Sequence, residues 1–160
     1  MASSAQKDLK VGDKAPSFSL PADSGDKVSL SGLKGKSVVL YFYPKDDTSG
    51  CTAEAIAFSK DTKAFAAAGA VVIGVSKDSA ASHDKFKAKH RLSVTLAADE
   101  DIKVAKAYGV WVEKSMYGRR YMGMERATFL IDAKGVIRNI WHKVKVPGHS
   151  ADVLAAVKSL

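Results

Sequence analysis

The chain has 160 residues, 46% apolar and 26% charged, enough for one globular domain with a real core and too apolar for a disordered chain. No apolar run approaches the roughly 20 residues that span a bilayer, Met1 to Asp8 lack the apolar segment of a secretory signal, and a single cysteine excludes an intramolecular disulfide or a cysteine-rich zinc site. The formal net charge of +8 is spread along the chain rather than gathered in a tract, so no nucleic-acid partner is expected.

Residues 1–8 read as a flexible leader and 9–160 as a single domain, in a cytoplasmic protein with no membrane partner. Phe18 and Leu20 alternate with Ser17 and Ser19 as a short edge strand, and Val28 to Leu30 form another. Ser37 to Tyr43 is a near-continuous β-branched and aromatic run, which suits a strand covered on both faces and ends at Pro44. Helical spacing follows through Ala55, Phe58, Thr62, Phe65 and Ala68, with Gly69 as its stop. Val71 to Val75 is a second buried strand. Ser79 or Ser82 caps a helix to about His90, and the cluster Lys85, Lys87, Lys89, His90 and Arg91 reads as its solvated end.

Asp101 to Tyr108 is a shorter helix ended by Gly109. Residues 111–131 read as strand, turn around Tyr117 to Arg120, and strand. Asp132 to Gly135 turn into the strand Val136 to Trp141, and a helix from Ser150 to Leu160 closes the chain. The β-α-β-α start demands a parallel crossover and the end an antiparallel pair. The plan is α/β and thioredoxin-like, a central mixed β-sheet flanked by helices.

Cys51 falls where the buried strand hands over to a helix. A thiol there lies in the positive end of the helix dipole near unpaired N–H groups, and both favour the reactive thiolate. The polar approach Asp46-Asp47-Thr48-Ser49-Gly50 argues against burial in an apolar core. Thr48 can aim a hydroxyl at the same helix mouth, and Pro44 can end the strand without donating and shield the sulfur. A fixed cation would complete such a site. Arg126, at the start of a strand, is a candidate, although spacing alone does not choose it over Arg91, Arg119, Arg120 or Arg138.

The run from Tyr43 to Thr52 matches the pattern Pro-x-x-x-Thr-x-x-Cys of peroxiredoxins. Val75-Ser76-Lys77-Asp78-Ser79 with Ser82-His83, Ala105 to Trp111, and Arg126 to Asp132 resemble one subfamily, the bacterioferritin comigratory protein or peroxiredoxin Q group, over about residues 9–160. The resemblance implies a thiol peroxidase in which Cys51 is the peroxidatic nucleophile, Thr48 and Pro44 its motif partners and Arg126 the distant arginine. Glu54 is a candidate for orienting that arginine. A hydroperoxide would be the substrate and an external thiol the reductant (thioredoxin, glutaredoxin with glutathione, or a small thiol). No metal or other cofactor is needed, and the resemblance favours a monomer.

Two departures stand out. Ser49 occupies the place of the usual proline before glycine, which leaves the helix entry looser. Where relatives carry a resolving cysteine, this chain has Ile56 or Lys87, so a Cys51 sulfenic acid would have no partner in its own chain. Two other readings remain open: a disulfide reductase, weakened by the missing first cysteine of a Cys-x-x-Cys motif, and a peroxide sensor or holdase using the same cysteine.

Overall fold

A computed structural model describes residues 8–160, so residues 1–7 of the expected leader lie outside the described residues. A short ribbon of β1 (Ser19–Pro21) and β2 (Lys27–Ser29) precedes β3 (Ser37–Phe42). Helices α1 (Ser49–Lys60) and α2 (Thr62–Ala67) lead to β4 (Ala70–Ser76). Helix α3 (Ala80–His90), β5 (Thr95–Ala98) and α4 (Lys103–Ala107) follow. A hairpin of β6 (Trp111–Met116) and β7 (Arg119–Met124), then β8 (Ala127–Ile131), β9 (Ile137–Trp141) and α5 (His149–Lys158), complete the chain. None of these helices is long and apolar enough to cross a membrane.

The central five-stranded sheet has the order β5-β4-β3-β8-β9. Strand β3 pairs parallel with β4 and antiparallel with β8, so the sheet is mixed. The β-branched and aromatic run of β3 takes the middle because both its faces are buried. Val38, Leu40 and Phe42 enter one core, whereas Val39, Tyr41 and Tyr43 enter the other. The first core receives α4 and the β1–β2 ribbon, the second α1, α2, α3 and α5. Such a strand holds the chain beyond its C-terminal end firmly, and Cys51 lies just there.

Four local readings differ from the sequence-based expectation. The helix expected through Ala68 is broken at Asp61 (φ −97°, ψ 5°). There the Thr62 hydroxyl turns back to the carbonyls of Phe58 and Ser59, and Asp61 instead accepts a hydrogen bond from Ser150. The edge strand β5 was not foreseen, being four residues long and rich in alanine. The stretch 111–131 holds three strands rather than two, since the hairpin leaves the sheet and the backbone turns at Glu125–Arg126 before β8. The strand around Leu20 pairs with β2 in its own ribbon instead of edging the sheet.

The helix α3 also corrects its expected character. Ser79, not Ser82, is the cap, accepting the Ser82 N–H. Its basic end is engaged rather than merely solvated: Lys87 pairs with Asp23 at 2.7 Å, and Lys89 and His90 both reach Asp47.

Tyr41 shows how tightly the second core is fitted. It faces Gly74 across the β3–β4 pair, and a Cβ on that glycine would lie 2.6 Å from the Tyr41 ring. Gly74→Ala is therefore expected to overpack this layer, with a loss of about 1–3 kcal/mol read from urea unfolding. A variant as stable as the parent would show that the ring shifts freely.

Candidate active site

The sheet, the first turn of α1 and the Glu125–Arg126 turn converge on Cys51. Antiparallel pairing sets Phe42 opposite Ala127, so the chain leaving β3 and the chain entering β8 meet at one end of the sheet. Arg126, directly before β8, thereby reaches across to α1. Its Nη2 donates to Cys51 Sγ at 3.4 Å and its Nη1 to Glu54 Oε1 at 2.8 Å. The structure thus brings Arg126 to the sulfur, a choice that sequence spacing left open. Glu54, one turn after Cys51 on the same helix face, holds the other branch of the guanidinium fork.

Cys51 itself is a correction. It is 1% exposed and belongs to the core containing Tyr41, Tyr43 and Phe58. Asp47, Thr48 and Ser49 of the polar approach stay exposed while Asp46 is buried, and the first turn of α1 folds the Cys51 side chain inward under Arg126. A polar approach in sequence reported the loop's environment, not the sulfur's.

Thr48 is the residue preceding α1 and its carbonyl accepts the Thr52 N–H, but its hydroxyl donates to the Lys45 carbonyl at 2.9 Å and caps nothing. Pro44 is half-buried next to the buried Tyr43. Ile56 is half-buried on α1, and Lys87 is committed to Asp23 on α3, so neither site favoured for a second thiol is idle surface.

The electrostatics follow from burial. Glu54 is 1% exposed, and loss of water pushes its carboxyl up to about 7 although Arg126 pulls the other way. Burial also opposes the charge of Arg126, but the facing Cys51 and Glu54 outweigh it and hold the guanidinium more firmly protonated than usual. The second oxygen of Glu54 and the hydroxyl of Tyr41 are buried without a hydrogen-bond partner among the described residues. Both belong to the shell around the sulfur, since the charges of Glu54 and Cys51, after burial itself, raise the Tyr41 phenol.

Sequence reasoning missed Gly50. A Cβ there would stand 3.0 Å from Arg126 Nη2, so a larger residue would press the guanidinium a few tenths of an ångström away from the helix mouth. The available signal was a glycine directly before a candidate nucleophile. A surface cleft of about 560 Å³, lined by Gly35, Ala64, Ala133 and Val157, lies at the opposite end of β3. No group of three or more His, Cys, Asp or Glu side chains that could hold a metal occurs among the described residues.

Comparisons with known proteins place the whole chain in one family. Residues 11–140 match the AhpC/TSA family. The chain is 49% identical to peroxiredoxin Bcp of Bacillus subtilis, over 95% of this chain and 97% of the relative. Among solved structures, a peroxiredoxin Q mutant from Xylella fastidiosa superposes with TM-score 0.90 at 38% identity, covering 96% of this chain and 98% of that one. The bacterioferritin comigratory protein of Xanthomonas campestris, studied for alkyl peroxide reduction, gives TM-score 0.85 at 42% identity, with 89% and 90% covered.

Glu54 supplies a pH test. Its ordinary value is 4.5 and the folded value about 7, so across that window the folded protein holds a proton that the unfolded chain releases. Stability from this group therefore falls as pH rises from 4.5 to about 7. Glu54→Gln keeps an acceptor for Arg126 and removes the titration. Urea unfolding at pH 5 and pH 7.5 should show the parent's decline reduced by about 1–3 kcal/mol in the variant; an unchanged slope would place the titration elsewhere.

Proposed function

The chain belongs to the AhpC/TSA family and is a peroxiredoxin, and we propose that it reduces hydrogen peroxide and organic hydroperoxides through a Cys51 sulfenic acid that an external thiol resolves. The observation that carries this reading is the Arg126 guanidinium against the only sulfhydryl of the chain. As a fixed cation it stabilises the thiolate and stands where charge develops on a departing oxygen.

The Cys51 thiolate attacks the terminal oxygen of the hydroperoxide. An S–O bond forms, the O–O bond breaks, the transferred oxygen keeps its hydrogen as the sulfenic acid, and the departing oxygen takes a proton from solvent to leave as water or an alcohol. The sulfur is oxidised by two electrons and the peroxide reduced by two. Arg126 Nη2 donates to the peroxide oxygens, while Nη1 stays on Glu54. The Thr48 hydroxyl, already donating to Lys45, offers its lone pairs to the peroxide O–H. Pro44 adds no competing donor and limits water at the sulfur.

The sulfenic acid then needs a thiol from outside the chain. Its attack releases water and leaves a mixed disulfide, which a second thiol cleaves to restore Cys51. Thioredoxin, glutaredoxin with glutathione, or a small thiol each fit this chemistry. The cytoplasm, where such thiols are kept reduced, is the setting we assign. We also assign a monomer, formed by residues 9–160 as a single domain, with residues 1–8 as a leader.

Equimolar peroxide added to prereduced protein should be consumed stoichiometrically, with one oxygen added to Cys51 by mass spectrometry. An unmodified thiol would sink the assignment. Gly50→Ala should move Arg126 off the sulfur and slow this single-turnover reaction by roughly ten- to a hundredfold, with little change in folding. A rate equal to the parent's would remove Arg126 placement from the mechanism. In turnover, a protein or small thiol from the donor series must sustain the reaction; consumption that stops at one equivalent with every donor would instead favour a sensor.

A further inference from the structure

The segment that leads into Cys51 is held from behind by a buried histidine. His83, on α3, is 0% exposed. Its Nδ1 lies 2.8 Å from Asp46 Oδ2 and its Nε2 lies 2.9 Å from the Ala97 carbonyl of β5. The Ala97 oxygen can only accept, so Nε2 carries a proton. Asp46 meanwhile accepts the Tyr43 hydroxyl at 2.6 Å and the Ser82 hydroxyl at 2.8 Å. A carboxylate can only accept, so the Asp46 carboxylate at 2.8 Å requires a proton on Nδ1 as well. Tyr43, 3.4 Å from Nδ1, has given its hydrogen to Asp46 and cannot supply it.

We propose that His83 is a positioning residue for the peroxidatic cysteine, acting through Asp46 as a buried imidazolium that locks the 44–48 segment onto α3 and β5. The proposal rests on Cys51 being the peroxidatic thiol. Asp46 is the anchor of that segment: its side chain takes His83, Ser82 and Tyr43, and its backbone N–H donates to Asp78 Oδ2 at 2.8 Å. Asp47, in the left-handed region at φ 60°, is grasped by Lys89 and His90 from the same helix. Thr48 then closes the turn on Lys45 and starts α1.

The groups facing His83 come from three directions. The β3–α1 segment presents Asp46 and Tyr43, the β4–α3 segment Asp78, and β5 the Ala97 carbonyl. Burial alone would discharge the ring, but the Asp46 hydrogen bond and charge, with Ala97 and Asp78, raise it above the ordinary histidine value. His149 provides the contrast. It is also buried, but its partner is the Thr128 hydroxyl, and burial drives it down. The lock is thus fully present below the ordinary value of 6.5 and is lost as pH rises through the raised value.

The test combines nitrogen NMR of the histidines with stopped-flow sulfenic acid formation across pH, both on the full chain. Both nitrogens of His83 should be protonated at pH 7, and the peroxide rate should decline at alkaline pH along His83's own titration. His83→Gln should slow the reaction at pH 7 by roughly ten- to a hundredfold and abolish that alkaline decline. Asp46→Asn should move the His83 midpoint and the decline together to lower pH, a shift that a merely structural contact would not produce. A neutral His83 at pH 7, or a parent rate profile that ignores its titration, would overturn the proposal even if neither variant folds. Failure of Cys51 to react with peroxide at any pH would instead strike the reading of the preceding section, because the NMR measurement reports His83 independently.

Discussion

The contact between Arg126 and Cys51 is the constraint on which the rest of the site depends. The guanidinium is drawn from the turn before β8 onto the first turn of α1, where one branch meets the sulfur and the other Glu54. Its charge is 19% exposed and its carboxylate partner 1%, so each needs the other. Leaving one partner of such a pair unmatched costs about 3–5 kcal/mol. Several unrelated sequence choices serve this one contact: glycine at position 50, the turn at Glu125–Arg126, and the β3–β8 register that sets Phe42 opposite Ala127.

The rigid part of the molecule ends where the chemistry begins. Strand β3 is buried on both faces and flanked by β4 and β8, and the buried Tyr43 just after it still donates its N–H to the Val75 carbonyl. Beyond it the chain has no ladder to follow. Side chains take over, with Asp46 and Asp47 held by α3 and Thr48 closing the turn. The position of the sulfur is therefore set by a strand, a clasp of carboxylates and one arginine acting in series.

What was legible in the sequence reflects the range of the forces involved. The run from Ser37 to Tyr43, the stretch Val71 to Val75 and the turn at Asp132 to Gly135 follow from local composition, and the structure contains each. The motif around Cys51 also fixed its place after β3, at the start of α1. Strand β5 was not legible, because it exists through pairing with β4 rather than through its own alanine-rich sequence. The burial of Cys51 and the His83–Asp46 pair were equally hidden. They join residues 75 and 37 positions apart across the fold, and no periodicity encodes such a meeting. Polar neighbours in sequence pointed the wrong way for the sulfur, since helix geometry turns one side chain in three or four toward the core regardless of its neighbours.

A buried sulfur with no second thiol sets a particular problem for regeneration. The sulfur is 1% exposed, so the thiol of another protein needs Cys51 brought outward. Helix α3 is a poor candidate for the movement, being fastened at Lys87 to Asp23, at His83 to Asp46 and at Lys89 to Asp47. The first turn of α1 carries the sulfur, and although Arg126 holds its side chains, its backbone entry lacks the usual constraints. Thr48 contributes no side-chain cap, Ser49 does not preset the backbone as proline would, and Gly50 has the highest conformational freedom of any residue. Loss of the cap alone is worth about 1 kcal/mol. With no internal thiol to reach, regeneration by another protein requires the turn that buries Cys51 to open.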